Sequence, residues 1–270
     1  MLRLTYIGTT SIPVEAEVIR PDALAGKTCA EIAVLPVQHG NAAVALGEFF
    51  RVEGSADDGD IRLEGDCRRV KLLGAGMTGG SLTIHGGAGM HLGAEMTGGE
   101  IRVHGDAGDW TGAEMRGGKI HVHGCAGHLV GSAYRGSRYG MRGGTILIDG
   151  KAGHEVGVGM RRGLVAVGGA GDFAGASLIA GTVFVFGASG LRAGAGMKRG
   201  TVAFFGPAPE ILGTFRRVCT YEPVWVSLYL RRLREWGYPG VGAHGNARWR
   251  RYCGDLVSLG KGEILMRSED

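Results

Sequence analysis

His85, His104 and His123 stand nineteen residues apart, and Asp149 follows in the same column after a seven-residue insertion. Imidazole and carboxylate are proton carriers and metal ligands, so a regular column of them is the first chemistry to weigh. On stacked strands each nineteen-residue step moves a side chain by one strand spacing, about 4.8 Å. That is wider than a tight coordination sphere, and no outer-shell partner is legible in the sequence. The column is therefore expected to be a solvated or partner-facing ladder, with no metal. The insertion, within 133–140 (AYRGSRYG), concentrates Tyr134, Arg135, Arg138 and Tyr139. Tyr and Arg are enriched where proteins grip partners, and this loop is expected to project from an otherwise smooth surface. Trp225 and Trp236 bracket an apolar stretch near the C-terminus and join the partner-contact candidates.

The elements that must hold these residues come from a repeat: 60–218 recurs every nineteen residues. SLTIHGGAGMHLGAEMTGG (81–99), EIRVHGDAGDWTGAEMRGG (100–118) and TILIDGKAGHEVGVGMRRG (145–163) share x-I-x-V-x-G-x-A-G-x-x-x-G-x-x-M-x-x-G. So short a unit is one rung of a stacked β-solenoid. Each rung opens with an alternating strand that sends Ile101 and Val103 inward and Glu100, Arg102 and His104 outward. The expected inward row is Ile84, Val103, Val122, Ile148, Val167, Val185 and Phe204. Gly86, Gly105, Gly124, Gly150 and Gly187 end the strands, and Gly93, Gly112, Gly131, Gly157 and Gly194 follow seven residues later, where tight corners demand them. Met77, Met96, Met115, Met141, Met160 and Met197 share a column with Leu178, which reads as an interior apolar stack rather than a soft-metal ladder.

The fold class is all-β: a single-stranded right-handed β-helix of about eight rungs of about nineteen residues. Both ends need covers against edge-to-edge pairing. Residues 1–59 are expected to form a strand-rich cap, 60–218 the β-helix, and 219–270 a C-terminal helix and tail. The helix, of about four turns, lies between Pro223 and Gly237. Its apolar face covers the last rung or docks on another subunit.

Composition narrows the function. Glycine supplies 53 of 270 residues, in register with apolar positions, which excludes disorder. The net charge of +4 is spread among acids, which gives nucleic-acid binding little support. Five scattered cysteines without a C-x-x-C pair suggest reduced thiols in a cytoplasmic protein. No run reaches membrane-spanning length, and MLRLTYIGTT lacks a signal-peptide core. Arg outnumbers Lys 24 to 6, which favours a mesophilic source. No Ser/His/Asp set, isolated carboxylate pair or phosphate loop is present, so no catalytic or cofactor-binding residue is assigned.

The repeated G-x-x-G-x-x-x-G unit resembles the C-terminal β-helix of the glutamate synthase large subunit, and also the C subunit of formylmethanofuran dehydrogenase. GNAAVALGEFF (40–50) and RRYCGDLVSLGKGEI (250–264) resemble the pattern of that C subunit. Residue 2 is Leu2, where the glutamate synthase amidotransferase uses an N-terminal cysteine, and 270 residues leave no room for a flavin barrel. The resemblance implies a non-catalytic scaffold in a bacterial formyltransferase/hydrolase complex, with a molybdenum or tungsten dehydrogenase as the alternative. Such a complex moves formyl from tetrahydromethanopterin to methanofuran or an analogue and releases formate, late in formaldehyde oxidation. Its partners would be a transferase subunit and an amidohydrolase-like metal subunit, and these would hold the methanofuran-type cofactor and the metal. Arg102, Arg116, Arg135, Arg138, Arg142, Arg161 and Arg162 are candidates to meet the glutamate-rich tail of such a cofactor.

Overall fold

A computed structural model describes residues 1–242 and 247–268. Parts of the expected tail, 243–246 and 269–270, lie outside the described residues. The chain is mostly β. Each of the eight repeats opens with a strand, beginning with Asp60–Glu64, Ser81–Ile84, Glu100–Val103 and Lys119–Val122. Thr145–Lys151, Leu164–Gly169, Thr182–Val185 and Thr201–Phe204 continue the series. Neighbours pair in parallel and in register, Ile101 opposite Leu82 and Ile120, with no slip as far as Ile148. They form the body of a thirteen-stranded sheet.

Alternation fixes what this sheet buries. The row Ile84, Val103, Val122, Ile148, Val167, Val185 and Phe204 has no solvent exposure. Opposite it lies a line of single parallel bridges through Cys67, Ala88, Ala107, Ala126 and Ala152. The methionine column, Leu178 included, fills the space between, fully buried. Each fully buried Val, Ile or Met contributes about 1.5–3 kcal/mol, so the inward rows supply most of the driving force.

Glycine supports the stack in two different ways. At Gly105 a Cβ would lie 2.8 Å from the carbonyl carbon and oxygen of Gly86 in the preceding rung, so the requirement is close backbone approach. At Gly112 the backbone is left-handed (φ 65°), and a Cβ would fall 2.3 Å from Ile146 Cδ1.

Both ends of the stack are continued rather than left bare. At the N-terminal side Leu2–Tyr6 pairs in parallel with the first repeat strand and antiparallel with Phe50–Gly54. A small four-stranded sheet links Val14–Glu15 to Val70–Lys71, and two short helices, Pro21–Leu24 and Cys29–Ala33, complete that end. At the other side Gly262–Arg267 pairs in parallel with Thr201–Phe204, followed antiparallel by Trp249–Gly254 and Arg216–Tyr221. The segment read from sequence as helix and tail thus also supplies strands. The outermost strands carry exposed Arg51, Glu53, Arg216 and Arg217, charges that discourage further pairing.

The helix Val224–Glu235 has twelve residues, shorter than four turns, with Pro223 at its N-cap. It does not lie across the last rung. Val226, Leu230 and Leu233 pack against a side face made by Leu147, Leu164, Ala166, Phe184 and Ala203. The outward strand position occupied by Arg102 and His121 becomes apolar from Leu147 onward, and the helix covers that part.

Candidate functional site

The strand register that buries Val103 exposes His85, His104 and His123, and their rings stack. Centroids lie 5.0 Å apart for His85 and His104 and 5.2 Å for His104 and His123, with planes within 18°. Burial, followed by the neighbouring positive groups, holds His104 below the usual imidazole range. Asp149 stands next in the column, as the repeat requires. Its Oδ2 is 2.7 Å from His123 Nδ1, and its Oδ1 is 2.8 Å from His121 Nε2. Burial pushes the Asp149 carboxyl up, but bonds from His121 and His123 outweigh it and hold the group below the usual carboxylate value.

His121 is a residue that the nineteen-residue spacing misses. It falls outside the column because it sits two residues before His123, on the same face. The signal for it is the sequence His121-Val122-His123, in which period two brings two imidazoles together. The spacing argument against close ligand groups considers one column only. Two columns crossed with one strand step bring donor atoms of His121, His123 and Asp149 within 4.8 Å of one another.

The insertion loop is less of a projection than its composition predicts. Ala133 N–H and Gly140 N–H donate to Val158 and Gly159 carbonyls in the next rung, which anchors both ends. Tyr134 folds back over a second aromatic ladder. Its hydroxyl is 2.9 Å from His91 Nδ1, its ring lies 6.2 Å from Trp110, and burial pushes its pKa up to about 12. A hydroxyl so held stays protonated and donates to His91, which burial keeps below the usual imidazole range. Tyr139 is surrounded by guanidinium groups: Arg138, Arg142 and Arg161 lie 5.1 to 5.4 Å from its ring. Arg135 and Arg138 are exposed.

Trp225 and Trp236 are half-buried at the two ends of the long helix. Trp225 stacks on Phe184 at 6.2 Å, and Trp236 lies under Arg232 at 4.8 Å and Lys119 at 5.6 Å. Between the helix and the rungs is a cleft of about 600 Å³ with Arg161, Arg162, Arg199, Arg232, Tyr229 and Trp236 in its wall. No acidic side chain lines it among the described residues. Of the remaining arginine candidates, Arg102 pairs with Glu100 at 2.6 Å and Arg116 with Glu95 at 3.5 Å. The faces are thus chemically distinct: an imidazole ladder ending in a carboxylate, and a guanidinium-lined cleft beside a basic loop. No helix among the described residues is long and apolar enough to cross a membrane.

Comparison with known proteins agrees with this architecture. The GXGXG motif family matches residues 74–226. A chain in the X-ray crystal structure of the formyltransferase/hydrolase complex (FhcABCD) from Methylorubrum extorquens, in complex with methylofuran, superposes with a TM-score of 0.91. The two are 34% identical, over 99% of this chain and 100% of that one. The C subunit of molybdenum-containing formylmethanofuran dehydrogenase 1 from Methanothermobacter marburgensis is 46% identical over 82 residues, 30% of this chain and 20% of that protein. Its counterpart from Methanosarcina barkeri is 45% identical over 85 residues, 30% of this chain and 28% of that protein. The matched part thus spans less than a third of the length of these curated relatives. A fold shared over the whole length with one chain of the FhcABCD complex, and repeats shared with the dehydrogenase subunits, lead to one assignment: the chain belongs to the GXGXG motif family and, within it, to the C-subunit group of the formylmethanofuran dehydrogenases.

Proposed function

We propose that this chain is the scaffold subunit of a formyltransferase/hydrolase complex. That complex passes formyl from formyl-tetrahydromethanopterin to methanofuran or an analogue and releases it as formate. One observation carries the reading: the match to a chain of the FhcABCD complex runs end to end, caps included. The match to the C subunits of the molybdenum and tungsten dehydrogenases is confined to about a third of the chain, and that dehydrogenase is the second reading.

In this reading the stacked strands and the facing alanine bridges are two walls of one right-handed β-solenoid of eight rungs, the hand that parallel crossovers take. Residues 1–59 cap one end, 60–218 form the coil, and 219–270 cap the other and brace its side. The chain is cytoplasmic and non-catalytic. Its work is to hold a transferase subunit and an amidohydrolase-like metal subunit in fixed relation. The methanofuran-type cofactor and the catalytic metal belong to those partners. Contacts to them fall on the His85/His104/His123 face, on Tyr134, Arg135, Arg138 and Tyr139, and beside Trp225 and Trp236. The arginine cleft suits a carboxylate-rich segment.

Co-purification from the native source tests this directly. The chain is expected to bring down a transferase and an amidohydrolase-like subunit, to be inert alone, and to be required for turnover by the assembled partners. Turnover by the pure chain, or recovery with a molybdopterin enzyme instead, would overturn the proposal.

A further inference from the structure

We propose that His121, His123 and Asp149 form a binding site for one divalent transition-metal ion of the zinc class. This site is independent of the docking role. Two residues of one strand and one of the next converge here. His121 and His123 share a face because they are two apart, and Asp149 occupies the His123 column one rung further on. The two imidazoles turn different nitrogens, Nε2 and Nδ1, toward the two oxygens of one carboxylate, at 2.8 and 2.7 Å. The rest of the ladder does not converge. His85 and His104 lie parallel, with centroids 5.0 Å apart, whereas the His121 and His123 rings are tilted by 43° at 4.2 Å.

The donors are held as a ligand set requires. The His121 side chain is only 5% exposed and Asp149 13%, while His123 is 36% exposed and leaves a way in from solvent. Tyr238, itself buried, donates its hydroxyl to the carbonyl of Ile148 at 3.1 Å, which fixes the backbone immediately before Asp149. Bonds of about 2.0–2.1 Å place tetrahedral donors about 3.3 Å apart. The carboxylate need open only slightly, and the half-exposed His123 ring can supply the remaining movement. Loading requires no net loss of protons from neutral imidazoles. Each proton now directed at Asp149 moves to the other ring nitrogen, and the freed lone pair takes the ion. Two imidazoles and one carboxylate select zinc-like ions over magnesium or calcium, and the side facing solvent leaves a fourth position for water.

The test uses the full chain, stripped with a chelator and titrated with Co²⁺ by visible absorption, then with Zn²⁺ in competition. One equivalent of Co²⁺ is expected to bind and to be displaced by Zn²⁺. His123→Ala, at an exposed position that leaves folding intact, and Asp149→Asn should each weaken binding at least tenfold. His85→Ala and Cys125→Ser should bind as the parent does. Circular dichroism melting confirms that each variant is folded. The proposal is overturned if no saturable binding occurs, if His123→Ala binds unchanged, or if His85→Ala or Cys125→Ser weakens binding as much, because the ion would then sit on the outer ladder or on a thiol.

Discussion

At the scale of single residues, the sequence is most legible where one physical demand dominates. Gly112 must be glycine because left-handed backbone and a crowded core coincide there. Replacing it by Val sets a β-branched side chain at φ 65° against Ile146, at a cost of about 2–5 kcal/mol. Arg102→Ala removes only an exposed ion pair with Glu100, worth about 0–1 kcal/mol. Denaturant melts should therefore show loss of soluble, cooperatively folding protein for the first and a near-parental curve for the second. Other corners are not legible. His91, Trp110, Leu129, Glu155, Phe173 and Arg192 also adopt left-handed backbone, at φ 56° to 63°, without the glycine that would have marked it. His91 shows why: its ring is retained for stacking on Trp110 and for the bond from Tyr134. It also gives the fold a pH dependence. Burial holds the folded imidazole below its ordinary value of 6.5, so the unfolded chain takes up the proton first as pH falls. Stability is complete above 6.5 and is lost as pH drops through and below it. Melting temperatures of His91→Gln should fall less steeply over that acid range than those of the parent.

At the scale of elements, strand period and glycine placement suffice to locate all eight repeat strands, whereas the pairing of the flanks is hidden. Gly262–Arg267 carries no repeat signature, yet it adds directly to the last repeat strand because an unpaired edge there would be exposed. Likewise the helix can be read from Pro223, its apolar period and Gly237, but its resting place cannot. The information lies in a column rather than a segment: Arg102 and His121 give way to Leu147, Ala166, Phe184 and Ala203 on the outer face of successive strands. An apolar outer face demands a cover, and Val226, Leu230 and Leu233 provide it. Leu233→Ala, at a fully buried position, should cost about 2–5 kcal/mol. If the helix were instead a free arm awaiting a partner, the same change would leave the melting curve of the isolated chain untouched.

At the scale of the whole molecule, a regular stack makes long flat faces, and function must distinguish one face from another. Inward positions are almost uniform from rung to rung, so the differences lie outside: imidazoles on early rungs, guanidinium groups around the insertion and the later rungs, apolar cover beneath the helix. The net charge of +4 is too small for strong long-range attraction, so any preference for acidic partners must arise locally. The cleft formed by Arg161, Arg162, Arg199 and Arg232 concentrates four of those charges in about 600 Å³. At 0.1 M salt, fields decay over about 10 Å, so such a cluster acts only on what enters it. If carboxylate-rich partner segments lie there, Arg161→Glu combined with Arg199→Glu should reduce co-purification of partner subunits severalfold. Both side chains are exposed, so the melting curve of the isolated chain should be unchanged. Raising ionic strength should weaken assembly of the parent and have less effect on the double variant. Retention that ignores both salt and charge reversal would assign partner binding to the apolar and imidazole faces instead.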